Sequence, residues 1–191
     1  MQVEKSFELA EKGAHLCFSG KPNEALPFLQ EAVKLNPLNT DALFSLGGCL
    51  VDLHRYEDAL EKYLTIIEIN PYDIMAKTTA IIVESKYHCK NTKLDNFLSA
   101  KECNEFGVLE YQNSSDDEDL EKALFFFNKA IKLDPKVPEF YNNRGSAHMY
   151  LSNFGNAMRD YNTALDLRPD YRSVRINIEK CHSLRAEHSN R

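Results

Sequence analysis

Two adjacent thiol–imidazole pairs, His88-Cys89 and Cys181-His182, are the groups in this 191-residue sequence with the most obvious capacity for chemistry. A zinc site needs about four Cys, His or carboxylate ligands at short recurrent spacings. Neither pair has a second pair at such a spacing. A Cys–His nucleophile is a separate matter, because its members meet in space and not along the chain. The competing reading makes these cysteines small buried hydrophobes. Gly47-Gly48 falls inside a helical pattern and is not a phosphate-binding loop. The run Asp116-Asp117-Glu118-Asp119 suits the first turn of a helix, where carboxylates meet the positive end of the dipole and a Ser or Asp caps it. Ser114 and Ser115 stand just before that run, in the order acidophilic kinases favour, so phosphorylation there is a testable expectation. No pair of titratable groups marks a reaction centre. The chain is expected to be non-enzymatic, with no cofactor and no metal.

Bulk properties narrow the class. Apolar residues at 43% and charged residues at 27% are ordinary for a folded water-facing protein. A formal net charge of −6 argues against nucleic acid as a partner, which would require clustered Lys and Arg. The start, MQVEKSFELAEKG, is amphipathic and charged, unlike a secretory signal. No apolar stretch is long enough to insert in a membrane. Cys17, Cys49, Cys89, Cys103 and Cys181 are scattered and odd in number. They read as reduced thiols, with the cytoplasm as the expected location.

The elements that must position any surface follow from a repeat. Pro37 closes AVKLNP and Pro71 closes IIEINP. Pro135 closes AIKLDP and Pro169 closes ALDLRP, at the same interval. A fixed period of about 34 residues, each unit ending in proline after an apolar helix, marks an array of helix pairs. From Ser6 to Asn39, one helix carries Leu9, Gly13 and Leu16; Lys21-Pro22-Asn23 turns; a second helix carries Ala25, Leu29 and Ala32. Residues 40–73 repeat this with Gly47, Ala59, Tyr63 and Ile66, and residues 138–171 with Gly145, Ala157, Tyr161 and Ala164. Between them, Ala123, Phe127 and Ala130 form a second helix. Its first helix aligns only after a short slide, from Tyr111 back to Gly107, which drops the surplus into a turn at 113–117. Turns absorb such insertions at little cost.

Residues 74–99 are irregular. Ile74, Met75, Ala76, Ile81, Ile82, Val83 and Tyr87 suit a helix apolar on several sides. Lys90-Asn91-Thr92 reads as a break, with a long helix then running from Leu94 through Gln112. A degenerate extra repeat is the alternative. Residues 172–188 form a closing helix with Val174, Ile178, Cys181 and Leu184 inward and Arg175, Lys180 and Arg185 outward, as the soluble end of a repeat array requires. The glycines are expected to let the second helix approach, with the matched alanines supplying the facing small surface.

Gly47, Ala59, Tyr63 and Pro71, and again Gly145, Ala157, Tyr161 and Pro169, resemble the tetratricopeptide repeat. The usual tryptophan of that repeat is replaced by Leu9, Leu43, Cys103 and Tyr141. The resemblance implies an all-α fold, a right-handed superhelical solenoid of antiparallel helix pairs. It has about four repeats: two over 6–73, two over 100–171, and a capping helix. It implies a non-enzymatic adaptor or scaffold that takes a peptide or helix of a partner protein in its concave groove, working as a monomer or complex subunit. The residues it places on that groove include Phe7, Ala10, Ala14, Cys17, Asp41, Phe44, Ser45, Gly48 and Val51 in the first half. In the second half they include Asn104, Tyr111, Asn142, Asn143 and Tyr150. The first set is apolar and suits an apolar side chain or an amphipathic helix. The second offers amides and phenols that can pair with an extended peptide backbone. A family variant holds chaperone tails in a carboxylate clamp. Here Asn143 matches its middle asparagine, but Ala10, Ala14, Val108, Ser173 and Asn177 stand where other clamp residues belong. The implied alternatives are a structural subunit of a larger assembly, or a co-chaperone lacking a complete clamp.

Overall fold

The computed structural model describes residues 2–89 and 93–189. The expected break at Lys90-Asn91-Thr92 lies outside the described residues. The described chain is all-α, with ten α-helices in antiparallel pairs. It divides into two compact units, Met1–Phe97 and Leu98–Arg191.

The first unit holds α1 (Gln2–Phe18), α2 (Pro22–Leu35), α3 (Thr40–Asp52), α4 (Tyr56–Ile69) and α5 (Ile74–Lys86), followed by a 3-10 turn at Lys93–Phe97. The second holds α6 (Ala100–Asn113), α7 (Asp117–Leu133), α8 (Pro138–Tyr150), α9 (Phe154–Leu167) and α10 (Arg172–Ser189).

Two kinds of turn build both units. Each second helix stops at a residue held extended by the following proline. Asn36, Asn70, Asp134 and Arg168 have φ between −143° and −133° and ψ of 93° to 95°. At three of these stops the Asn36, Asn70 or Asp134 side chain accepts a backbone N–H two positions on. The first helices α1, α3, α5 and α8 end differently, in a left-handed residue: Gly20, His54, His88 and Ser152, with φ of 55° to 72°. The next residue then donates to a carbonyl five positions back: Lys21 to Leu16, Arg55 to Leu50, Cys89 to Glu84, and Asn153 to His148. That bond closes a helix C-terminus. Gly20, His54 and His88 keep the spacing of the prolines, so α5 ends as the first helix of a pair does. His88 serves this turn.

Each helix pair is locked by a glycine set against a bulky side chain. A Cβ built on Gly13 would lie 2.5 Å from Leu29 Cγ, on Gly47 2.7 Å from Tyr63 Cζ, on Gly107 2.6 Å from Phe127 Cε1, and on Gly145 2.8 Å from Tyr161 Cε1. The nearest atoms to each glycine belong to the large residue one turn beyond the alanine; at Gly145 the Ala157 carbonyl oxygen also lies 3.3 Å from that Cβ, and Ala25, Ala59, Ala123 and Ala157 are all fully buried. The helix α6 also differs from expectation. It begins at Ala100 and not at Leu94, because Ser99 accepts the Glu102 N–H while the Glu102 carboxylate accepts the Ser99 N–H. This reciprocal cap fixes a helix start. In α7, Asp116 is the capping residue and Asp117, Glu118 and Asp119 fill the first turn. α10 buries Val174 and Cys181 against α9, with Ile178 and Leu184 beside them.

Candidate functional site

In the first unit, α1, α3, α4 and α5 enclose an open pocket of about 490 Å³. Phe44, Ser45 and Val51 line it, together with Ala14, Cys17, Gly48 and Asp52. Phe7 lies outside the pocket, on the α1 face that continues it, and is 47% exposed. Ala10 turns away, buried beside Ala32 and Ala42. The far wall comes from α5, through Thr79, Ile82, Lys86 and Tyr87. The sequence expectation lacks these four, although Thr79 and Ile82 stand one repeat period after Ser45 and Gly48. Beneath the floor, Tyr63 packs edge-on to Phe44 at 5.3 Å between ring centroids. Burial, reinforced by the Asp52 carboxylate, pushes the Tyr63 hydroxyl up to about 12.

In the second unit the expected amides and phenols share the inner face of α6, α8 and α10. Asn143 Nδ2 donates to Asn104 Oδ1 at 2.9 Å, Asn142 Nδ2 to Asn143 Oδ1 at 3.4 Å, and Asn177 Nδ2 to Asn142 Oδ1 at 2.9 Å. Four amides from three helices thus form a continuous ladder. Beside it, Tyr111 and Tyr150 meet edge-on at 5.8 Å. Lys180 Nζ donates to the Tyr150 hydroxyl at 2.6 Å. That bond holds the Tyr150 phenol below its ordinary range, while burial, then contact with Tyr150, raises Tyr111. The sequence expectation names Asn177 only as standing at a clamp position, outside the peptide track, and does not put Lys180 at the track. It sets Lys180 on the outer face of the capping helix, but the side chain reaches Tyr150. Asn177 is signalled by its place one repeat period after Asn143.

The pair across the helices beneath the ladder is ionic. Arg144 donates twice to Asp160, at 2.8 and 2.6 Å, and once to Asn128 at 2.8 Å. Such a fork holds α8 against α9 in one geometry.

The thiols do not favour nucleophilic chemistry. Cys89 and Cys181 are buried, and burial raises both thiols above their usual range. Cys49, beside Cys17, is pushed up to about 12, first by burial. Among the described residues, no group of three or more His, Cys, Asp or Glu side chains is placed to hold a metal ion. No helix among them is long and apolar enough to cross a membrane. Ser114 donates to the Tyr111 carbonyl at 2.8 Å, and the exposed Ser115 leans on Asp119 at 3.4 Å.

Helix pairs with this period, this glycine lock and these proline stops define an all-α helical-repeat protein. The tetratricopeptide repeat family matches residues 15–74, 115–137 and 138–171, and the chain belongs to that family, whose domains generally bind other proteins. Among curated proteins it is similar to tetratricopeptide repeat protein 16 of Mus musculus, 26% identical over 167 residues, covering 87% of this chain and 19% of that protein. It is also similar to tetratricopeptide repeat protein 6 of Homo sapiens, 27% identical over 168 residues, covering 81% and 31%. The chain therefore spans about a fifth to a third of the length of these relatives. Among solved structures it is similar in fold to YrrB, described as a TPR protein with an unusual peptide-binding site, with 18% identity, a TM-score of 0.46 and 90% of each chain covered.

Proposed function

We propose that this chain is a non-enzymatic adaptor that captures a segment of a partner protein on the inner faces of its first helices. The observation that carries this is the amide ladder Asn104–Asn143–Asn142–Asn177. An asparagine amide has two N–H donors and a carbonyl with two lone pairs. The ladder uses one N–H each of Asn142, Asn143 and Asn177, which leaves a second N–H on each of them and both N–H groups of Asn104 for a guest. An extended peptide presents N–H and C=O groups along a line of its own and can pair with them whatever its side chains. In the first unit, the pocket around Phe44, Ser45 and Val51 takes an apolar anchor, with Phe7 extending the contact. Tyr111 and Tyr150 border the peptide track. All five cysteines are free thiols, which suits work in a reducing compartment such as the cytoplasm.

The test is a partner peptide defined by affinity purification and then synthesised. Asn142→Ala with Asn143→Ala should weaken its binding at least tenfold and lower stability only slightly. The lost rungs are half-exposed, and each is worth about 0.5–1.5 kcal/mol at most. Phe44→Asp should weaken a partner that uses the apolar pocket. Full binding by both variants refutes the groove as the interface. A second reading, a structural subunit of a larger assembly, is favoured by exposed Leu38, Tyr72, Ile74 and Met75 at the turns of the first unit. A monomer in sedimentation at micromolar concentration supports the adaptor, and self-association lost on Tyr72→Ser with Met75→Ser supports the subunit.

A further inference from the structure

We infer that the groove of the first unit receives an amphipathic helix whose apolar face is bordered by lysine or arginine. The inference rests on the groove reading above and narrows it to one kind of guest.

The guest's conformation follows from what the groove leaves unpaired. An extended segment brings a free N–H and C=O at nearly every residue, and these need partners when buried. The second unit supplies them through its amides. The pocket of the first unit is instead walled mostly by Ala14, Phe44, Gly48, Val51, Ile82 and the ring of Tyr87, with hydroxyls from Ser45, Thr79, Tyr63 and Tyr87 and no side-chain amide. A helix satisfies its own backbone and offers a purely apolar stripe. It therefore suits such a wall where an extended strand does not.

The floor is also shaped for a wide guest. Ala14, Gly48 and Ile82 hold the same position in successive first helices, one repeat period apart. A Cβ on Gly48 would have nothing within 4 Å, so glycine is not needed there for packing inside the chain. It disfavours its own helix and leaves the middle of the floor low. Phe18, 96% exposed, stands at the edge of the same pocket, free to fold over whatever enters.

Charge selects the flanks. Asp52 lines the pocket, and Asp41 lies on the same face of α3 as Phe44 and Gly48. Glu11 holds in α1 the place that Ser45 holds in α3, one repeat later. All three carboxylates are exposed, and among the described residues none forms an ion pair. Lys86 is the one ammonium lining this pocket among the described residues. The field of Asp52 is felt within the wall, where it adds to burial in raising the Tyr63 hydroxyl. The pocket itself holds one carboxylate, Asp52, and one ammonium, Lys86, and the helix faces that continue it add Glu11 and Asp41, so the wider groove attracts a cation-flanked guest and repels an acidic one.

The probes are two fluorescent synthetic helices of equal length and apolar content, one of leucine and lysine, the other of leucine and glutamate. Their binding to the full chain is read by anisotropy over a range of salt. The lysine helix should bind at least tenfold tighter than the glutamate helix and weaken as salt rises. Gly48→Leu, which fills the floor, should weaken it at least tenfold, with Ala14→Leu as a second filling variant on another helix. Asp41→Asn with Asp52→Asn should weaken it about two- to fivefold per carboxylate and flatten the salt dependence. Equal binding of both helices, lost on Gly48→Leu, overturns the charge inference and leaves the groove standing as a docking site. Lysine-helix binding that ignores the filling variants is adhesion to an acidic protein and overturns both for this unit. If neither helix binds, the inference fails, and the peptide track of the second unit is judged separately by Asn142→Ala with Asn143→Ala.

Discussion

Replacing Gly47 and Gly48 with alanine, one at a time, should move stability in opposite directions. Both lie within α3, so both substitutions gain the same helix preference, about 0.5–1 kcal/mol. Their surroundings differ. The new Cβ at position 47 would stand 2.7, 2.8 and 3.0 Å from Tyr63 Cζ, Cε1 and the hydroxyl. Tyr63 is 2% exposed and braced by Phe44, so its ring has little room to retreat. Overpacking of that kind costs about 1–3 kcal/mol, which exceeds the helix gain. Gly47→Ala should therefore lose roughly 1–2 kcal/mol. At position 48 nothing lies within 4 Å, so the helix gain stands alone. Gly48→Ala should gain about 0.5–1 kcal/mol. Urea denaturation followed by circular dichroism measures both, with an unchanged slope showing that the unfolded state is not the cause. For a chain of this length, each kcal/mol moves the melting temperature by about 2–4 °C. A Gly47→Ala variant as stable as the parent, or a destabilised Gly48→Ala, would show that α3 is rotated differently against α4 and would remove the pocket floor described above.

Three further outcomes follow from the second unit and its turns. Arg144→Met should destabilise by about 3 kcal/mol, because it strands the buried Asp160 carboxylate, and adding Asp160→Leu should restore much of that loss in urea denaturation. His148 is held below the ordinary histidine value of about 6.5, chiefly by burial, with Asp160 opposing and Arg144 assisting, and its Nδ1 is buried without a hydrogen-bond partner. The unfolded chain thus takes up a proton more readily, so stability should be flat above about pH 6.5 and fall as pH drops below it; His148→Phe should reduce that slope, and equal slopes in melting curves from pH 7.5 to 5 would refute the assignment. Ser152→Gly should stabilise by about 0.5–1 kcal/mol, since a left-handed non-glycine residue costs about 1–2 kcal/mol and glycine returns part of this as unfolded-chain entropy; an unchanged melting temperature counts against strain at that turn.

The second helices are legible in the sequence because their requirements are local. The proline after each helix forces its predecessor extended, and Ala25, Ala59, Ala123 and Ala157 recur at one fixed offset before those prolines. The first helices are harder. Their left-handed closing residue is glycine at position 20 alone; at 54, 88 and 152 it is His, His and Ser, which carry no such signal. That is why α5 reads as irregular although His88 keeps the spacing. The start of α6 is hidden because buried Leu94 and Leu98 extend the apolar pattern backward, while Ser99 and Glu102 close the cap that ends it. The groove asparagines are visible as types, but their mutual bonding is not, since it depends on the rotation of three helices. Lys180 escapes for the same reason: a long side chain leaving an outer position can still reach Tyr150.

The rungs of the asparagine ladder brace one another before any guest arrives. Each amide is already oriented by its neighbour, so little rotamer freedom remains to be lost on complex formation, and a larger share of the contact energy survives as affinity. A rigid row of dipoles is also intolerant of misalignment. On the function proposed above, an extended peptide shifted by one residue would turn its N–H and C=O groups away from the amides, so this stretch of surface would discriminate among guests by the phase of their main chain before any side chain is read.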